Sequence, residues 1–168
     1  MTHRGFSGIV LGLWSLTVGA GCKADLPALT DAKASLDGRC GGPHADLLVD
    51  FFPASLTKPS AVLGDADGMS VSLAATNRIT VGFVGLGGLT DASGPDLRIH
   101  ATVAAGASAT VELAASDSQF RFAGTLSSTV NQFDVAVAEN TSAVYARVID
   151  VSGTIAIDAF EAIHDKCH

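Results

Sequence analysis

The sequence predicts an all-β protein, an antiparallel β-sandwich, and three observations predict it. Side chains alternate apolar and polar with a period of two: Leu97, Ile99, Ala101 and Val103 against Arg98, His100 and Thr102, then Ala109, Val111 and Leu113 against Thr110 and Glu112. That alternation belongs to strands with one face buried and one face in water. Turn-forming residues punctuate the chain at short intervals: 65–68, Thr76 with Asn77, 93–95, Ser116 with Asp117, Glu139 with Asn140, and Gly153. Between these turns no long helical period develops, so sheets must pack on sheets.

In chain order, the first segment is an address and not a fold element. Arg4 precedes an apolar run over 9–18, which ends in Gly19, Ala20, Gly21 and Cys22. The run is short for a membrane span and closes on small residues, as secretion signals do. It resembles bacterial lipoprotein signals, in which the cysteine after the small residues is lipidated on sulfur and becomes the new first residue. Gly19 stands where that family usually has Leu. The resemblance implies a signal peptide over 1–21, lipidation at Cys22 and a membrane anchor. Lys23 in place of Asp directs the product to the outer membrane of a Gram-negative envelope. Several acyl chains, at about 0.8 kcal/mol per buried CH₂, make such an anchor permanent.

Residues 22–45 mix Ala, Asp, Gly, Lys and Pro without a period and read as a lipidated tether, leaving 46–168 as the sandwich domain. Strands are expected at 47–52, 69–74, 78–84, 97–103, 109–113, 119–122, 132–138, 143–150 and 154–163. In the last, Ile155, Ile157 and Ala159 share one face, with Thr154, Ala156 and Asp158 on the other. Phe120 and Phe122 alternate with Gln119 and Arg121 in the same way.

The chain carries a formal charge of −7, and loss of Arg4 with the signal makes the mature protein more acidic still. An acidic surface excludes nucleic acid and anionic lipid as partners drawn by charge. Cys40 and Cys167 remain after Cys22 is lipidated, and an even pair in an exported chain reads as a disulfide. A cysteine-based metal site is not expected, because the two cysteines lack zinc-type pairing and His44, His164 and His168 form no ligand pattern.

From residue 47 onward the order of landmarks is Phe51-Phe52-Pro53, Ala61-Val62-Leu63-Gly64, Asp67-Gly68, Gly94-Pro95-Asp96-Leu97, Phe133-Asp134, a strand with Tyr145 and Arg147, and a last strand ending near Glu161. This order resembles that of galactose-binding-like jelly-roll domains of bacterial surface proteins. The resemblance implies a jelly-roll sandwich, a carbohydrate or other ligand at the loop end, and a structural calcium. Asp67, Asp96 and Asp158 are the calcium-ligand positions left. Ala101 and Ala156 stand where the family often has acids, which leaves few oxygens for a cation that takes six or more.

Other candidate chemistry has plainer explanations. Asp65, Asp67 and Gly68 could open a calcium loop, but a strand follows where further ligands belong, and a turn accounts for them. Gly82, Gly85, Gly87 and Gly88 suggest a dinucleotide loop, but Thr90 takes the third glycine's place and no helix follows. No G-x-S-x-G or H-E-x-x-H occurs, so no catalytic residue is assigned. His100 close to Asp96 is the one acid–base pair to consider, and an exposed strand histidine is its alternative. Trp14 falls in the signal, leaving Tyr145 and the phenylalanines as the only rings a sugar could stack on. The expected function is that of a non-enzymatic envelope lipoprotein carrying a ligand-binding-like sandwich for carbohydrate or protein. The alternatives are a structural accessory subunit of an envelope complex and a hydrolase with a loop-built site.

Overall fold

A computed structural model describes residues 42–164 apart from 117, 140 and 141. The strands are β1 (Leu47–Phe52), β2 (Val71–Leu73), β3 (Arg78–Gly82), β4 (Leu89–Thr90), β5 (Leu97–Val103), β6 (Ser108–Ala114), β7 (Arg121–Leu126), β8 (Gln132–Phe133), β9 (Ser142–Ala143), β10 (Tyr145–Ser152) and β11 (Ile155–Ala162). Among the described residues the helical pieces are two 3-10 turns, Pro59–Val62 and Ala136–Ala138. Neither approaches the length needed to cross a membrane.

Two main sheets form, ordered β1-β3-β10-β6-β7 and β2-β11-β5-β8, with a small β4-β9 ribbon beside them. Their antiparallel pairs include β2 with β11, β3 with β10, β5 with β8 and β6 with β7. Those four pairs are one long hairpin, β2-β3-β5-β6 running out and β7-β8-β10-β11 running back. Rolled up so that successive strands fall in alternate sheets, such a hairpin is a jelly roll. β1 adds an edge strand beside β3.

The inward residues of both sheets make one core. Val71, Leu73, Ile79, Val81, Val111 and Ile157 are fully shielded from solvent, and Phe83 and Phe160 are the largest side chains among them. Full burial of each such side chain contributes about 1.5–3 kcal/mol, which is why β-branched residues at period two are enough to specify the sandwich.

The glycine run after β3 is a clamp. Asp46 accepts hydrogen bonds from the backbone N–H groups of Val84, at 2.9 Å, and Gly85. Gly88 has φ +99°, and a Cβ there would stand 2.7 Å from the Ala143 carbonyl oxygen, so the position requires glycine.

Three sequence expectations are corrected. The strand expected over 132–138 stops at Phe133, because Asp134 Oδ1 accepts from Ala136 N at 2.7 Å and turns the chain into the 3-10 turn. Phe120 and Phe122 do not turn into the core: Phe122 is 56% exposed, because the register shift between Val111 and Glu112 pairs it with the outward Glu112, and Phe120 lies beneath the outward Arg147. The alternation of the last strand breaks at Asp158, where the register shifts between Ile157 and Ala159.

Pairing starts ahead of β1. His44 bridges Glu161, Ala45 N donates to the Phe160 carbonyl at 2.9 Å, and Ala162 N donates to the Pro43 carbonyl. The chain therefore enters and leaves the domain side by side. Cys40 and Cys167 lie outside the described residues, three before Pro43 and five after Ala162. We propose that they are linked. Non-reducing peptide mapping of the protein from its native host is expected to recover Cys40 joined to Cys167, and reduction to cost up to about 4–5 kcal/mol on the chain-entropy account. Recovery of two free thiols from oxidised protein overturns the link.

Candidate functional site

Among the described residues three buried side-chain atoms lack a hydrogen-bond partner: Asp158 Oδ1 on β11, His44 Nδ1 beside the same strand, and Thr90 Oγ1 away on β4. Strict alternation along β11 from the buried Ile155 would turn residue 161 into the core. The register shift makes Asp158 an extra residue opposite β5, so that Ala156, Asp158 and Glu161 all face outward while Phe160 points in. A bulge of this kind re-aims side chains without breaking the sheet. From β5 the facing residues are Arg98, His100 and Thr102, two apart on one face.

These residues floor an open depression of about 310 Å³ lined by Gly68, Ser70, His100, Thr102, Asn131 and Asp158, with Ala101 and Ala156 as small members of the wall. The D-x-D-G turn docks on it. Gly68 N donates to Asp158 Oδ2 at 3.0 Å, and Asp67 Oδ1 accepts from Met69 N at 2.8 Å. The second oxygen of Asp158, Oδ1, is shielded from solvent and has no hydrogen-bond partner. An unmade bond to a buried carboxylate oxygen costs about 1–3 kcal/mol or more, and a donor arriving in the depression would recover it.

Next to the depression stands a second group. His100 Nε2 lies 2.7 Å from Glu161 Oε2, which also accepts from Arg98 at 3.2 Å. His44 Nδ1 lies 3.0 Å from Asp65 Oδ1. One donor atom from each of His44, His100 and Glu161 falls within 4.8 Å of the others. Burial raises the Glu161 carboxyl; the hydrogen bond from His100 and the positive charges of Arg98, His100 and His44 outweigh it, and the proton is held less tightly than in an ordinary glutamate.

The three positions expected for calcium do not come together. Asp67 and Asp158 share the turn just described. Asp96 sits at the far end of β5, fully buried, with Oδ1 accepting from Ala92 N and Oδ2 from Val135 N, both at 2.9 Å. It pins two loops and has no free oxygen to offer in their direction. Asp91 and Asp134 lie close to it. The His100–Asp96 pair weighed beside an exposed strand histidine does not form: the partner of His100 is Glu161. Cys22, the lipidation position, lies outside the described residues.

Two aromatic rings on the other sheet carry an arginine. The Arg78 guanidinium stands 5.5 Å from the Phe52 ring centre and pairs with Asp50, and that of Arg147 stands 3.9 Å from the Phe120 ring and pairs with Glu112. Cation–π stacking of this kind occupies one face of each of those rings, while Phe122 stays 56% exposed on β7.

Sequence reasoning missed Glu161, and missed that His44 meets His100 across 56 positions of chain. One signal was present: Phe160 followed by Glu161 is out of phase with Ile155 and Ile157, and that phase change marks a bulge.

Fold and face together define the class: a jelly-roll β-sandwich with a polar depression on one sheet. No protein-family model and no curated protein matches the sequence. Among solved structures, the chain is similar to the CBM32 of AlyQ in complex with 4,5-unsaturated mannuronic acid, at 14% identity and a TM-score of 0.44, over 72% of this chain and 98% of that one. A likeness of that degree carries no functional argument, so the function of this chain has to be read from its own residues.

The Glu161 contacts make a pH prediction. Charged Glu161 contributes stability that is complete above the ordinary glutamate value of 4.5 and is lost as the pH falls through the lower value of the folded state. Urea unfolding of wild type and Glu161→Gln across pH 3–7, roughly the range where carboxylates titrate, is expected to show wild type the more stable just above pH 4.5. That margin should shrink as the solution is made more acid; a margin that does not change with pH overturns the assignment.

Proposed function

We propose that this chain is an exported lipoprotein, anchored through Cys22, whose jelly-roll domain binds a small polar ligand without transforming it. The observation that carries the reading is the depression on the β2-β11-β5-β8 face. Ser70, Thr102, Asn131 and His100 supply donors and acceptors around an Asp158 oxygen that lacks a partner. A ligand rich in hydroxyl groups fits that wall, because each hydroxyl both donates and accepts and one of them satisfies Asp158. Carbohydrate is the class of choice. Recognition here runs through hydrogen bonds alone, since no aromatic residue lines the depression. Weak, edge-on binding of single residues or chain ends is the mode such a wall supports.

A structural accessory subunit is the second class to weigh. It calls for one contiguous exposed apolar face. The exposed large apolar residues are instead spread out: Phe52 lies on β1 and Phe122 on β7, the two opposite edges of the five-stranded sheet. A hydrolase would need an activated nucleophile or a pair of free carboxylates, and the described acids near the depression are tied to backbone or to cations.

Two experiments test the proposal. Mass spectrometry of the protein from its native host is expected to find an N-terminal peptide beginning at acylated Cys22, and an unmodified N-terminus elsewhere overturns the anchor. A glycan array probed with the mature chain should give hits that Asp158→Asn and Thr102→Ala each weaken by roughly 10-fold or more, the loss expected when a buried polar group goes unpaired. Binding untouched by both variants, or none on the array, overturns the ligand reading.

A further inference from the structure

We infer that His44, His100 and Glu161 form a binding site for a divalent transition-metal ion, zinc being the natural occupant. The inference does not rest on the ligand reading above, although His100 belongs to both places.

Three segments distant in sequence deliver these side chains to one spot, and each is held by strand pairing. His44 and Glu161 are direct partners in an antiparallel bridge, and His100 sits on β5 opposite Ala159, two pairs along β11 from Glu161 on the same side of the bulge. Their donor atoms lie within 4.8 Å of one another, with His100 Nε2 2.7 Å from Glu161 Oε2. Ligands at 2.0–2.1 Å from a tetrahedral ion stand about 3.3 Å apart, so a slight parting of His100 from Glu161 and a small approach of His44 bring all three onto one centre. Side chains placed by strands need little reorganisation to do so.

The state of the unliganded atoms points the same way. His44 Nδ1 is shielded from solvent and makes no hydrogen bond, although Asp65 Oδ1 is 3.0 Å away. A carboxylate that close to the ring adds negative charge beside the three donor atoms, and negative charge there favours a cation. Asp65, 89% exposed, can turn onto the ion as a fourth ligand or hold the ring as a carboxylate–histidine pair does at metal centres.

The donor set selects the metal. Two imidazoles and a carboxylate suit zinc and its first-row neighbours, whereas calcium takes six to eight oxygens. Arg98 opposes binding, because its guanidinium bonds the same Glu161 oxygen as His100 does. Glu161 has a second oxygen, and Arg98 is partly exposed and able to move off. Arg98 therefore sets how tight the site is, and its removal should tighten it.

The test uses the full mature chain, stripped with chelator. Zinc alone at a hundredfold excess over its Kd is expected to raise Tm by about 5–15 °C, while the same concentration of calcium leaves Tm where it was. Cobalt in place of zinc should give visible d–d absorption that added zinc abolishes. His44→Ala and His100→Gln should each weaken zinc binding by at least about a hundredfold, and Arg98→Gln should strengthen it. A wild-type Tm unmoved by zinc overturns the site, as does a zinc shift undiminished in the histidine variants. Should His100→Gln fail to fold, the cobalt spectra of wild type and His44→Ala decide the matter. Bands that vanish in His44→Ala uphold the site, and bands that persist there, or are missing from wild type, overturn it.

Discussion

Strand β11 is the element on which everything else in this domain depends. In a rolled hairpin the last strand must fill the gap between the first strand and the third, and β11 does so between β2 and β5. Where β2 ends, residues 43–45 continue on the same side of it. Apart from Asp158 and Ala159, β11 therefore has backbone neighbours on both sides, which leaves little exposed edge to pair with another chain. The bulge at Asp158 is the one irregularity in that frame. It shifts the phase of the strand by one residue, which in a period-two structure exchanges core and solvent faces for the rest of the strand. Because of that shift Phe160 enters the core and Glu161 leaves it.

The polar face is thus a consequence of a packing decision. A Phe at position 160 has more apolar area to bury than anything else in the second half of the strand, and its burial outweighs the ladder bond lost at the bulge. Glu161 is carried outward, opposite Arg98 and beside His100, where its charge finds cations and not hydrocarbon. Ala156, a short side chain on the outward face, leaves room above it between Thr102 and Asp158, and that room is part of the depression.

Much of this was legible in the sequence, for a definite reason. Strands with one wet face announce themselves by period two, and β1 (Leu47–Phe52) and β5 (Leu97–Val103) coincide with their sequence-predicted bounds. Turn chemistry was less legible, because Asp134 looks like any polar residue in a strand until its carboxylate is seen bonding Ala136 N. Of the site, Asp65, Asp67, His100 and Asp158 stood out singly in the sequence, but not the residues they meet. Its members come from positions 44, 65, 98, 100 and 161, and only the closure of the roll makes them neighbours. Asp96 misled for the opposite reason: a carboxylate in a Gly-Pro-Asp turn resembles a loop-end ligand, yet its oxygens are consumed by Ala92 and Val135 N–H groups that would otherwise be unpaired in the interior.

His100 links the two halves of the polar face, and the link has a thermodynamic consequence. One edge of its ring lines the depression while Nε2 is held by Glu161. Anything that takes hold of His100 or Glu161 changes which ring atom is available, and with it the hydrogen-bonding character of the depression wall. Coupling between two sites is reciprocal, so a ligand that favours one arrangement of His100 must alter the hold of the neighbouring group by the same factor. The strand scaffold keeps that coupling local: β5 and β11 are paired on both sides of His100, and only side-chain rotation is free to respond. A face built this way would respond to an occupant through one imidazole, with the backbone fixed.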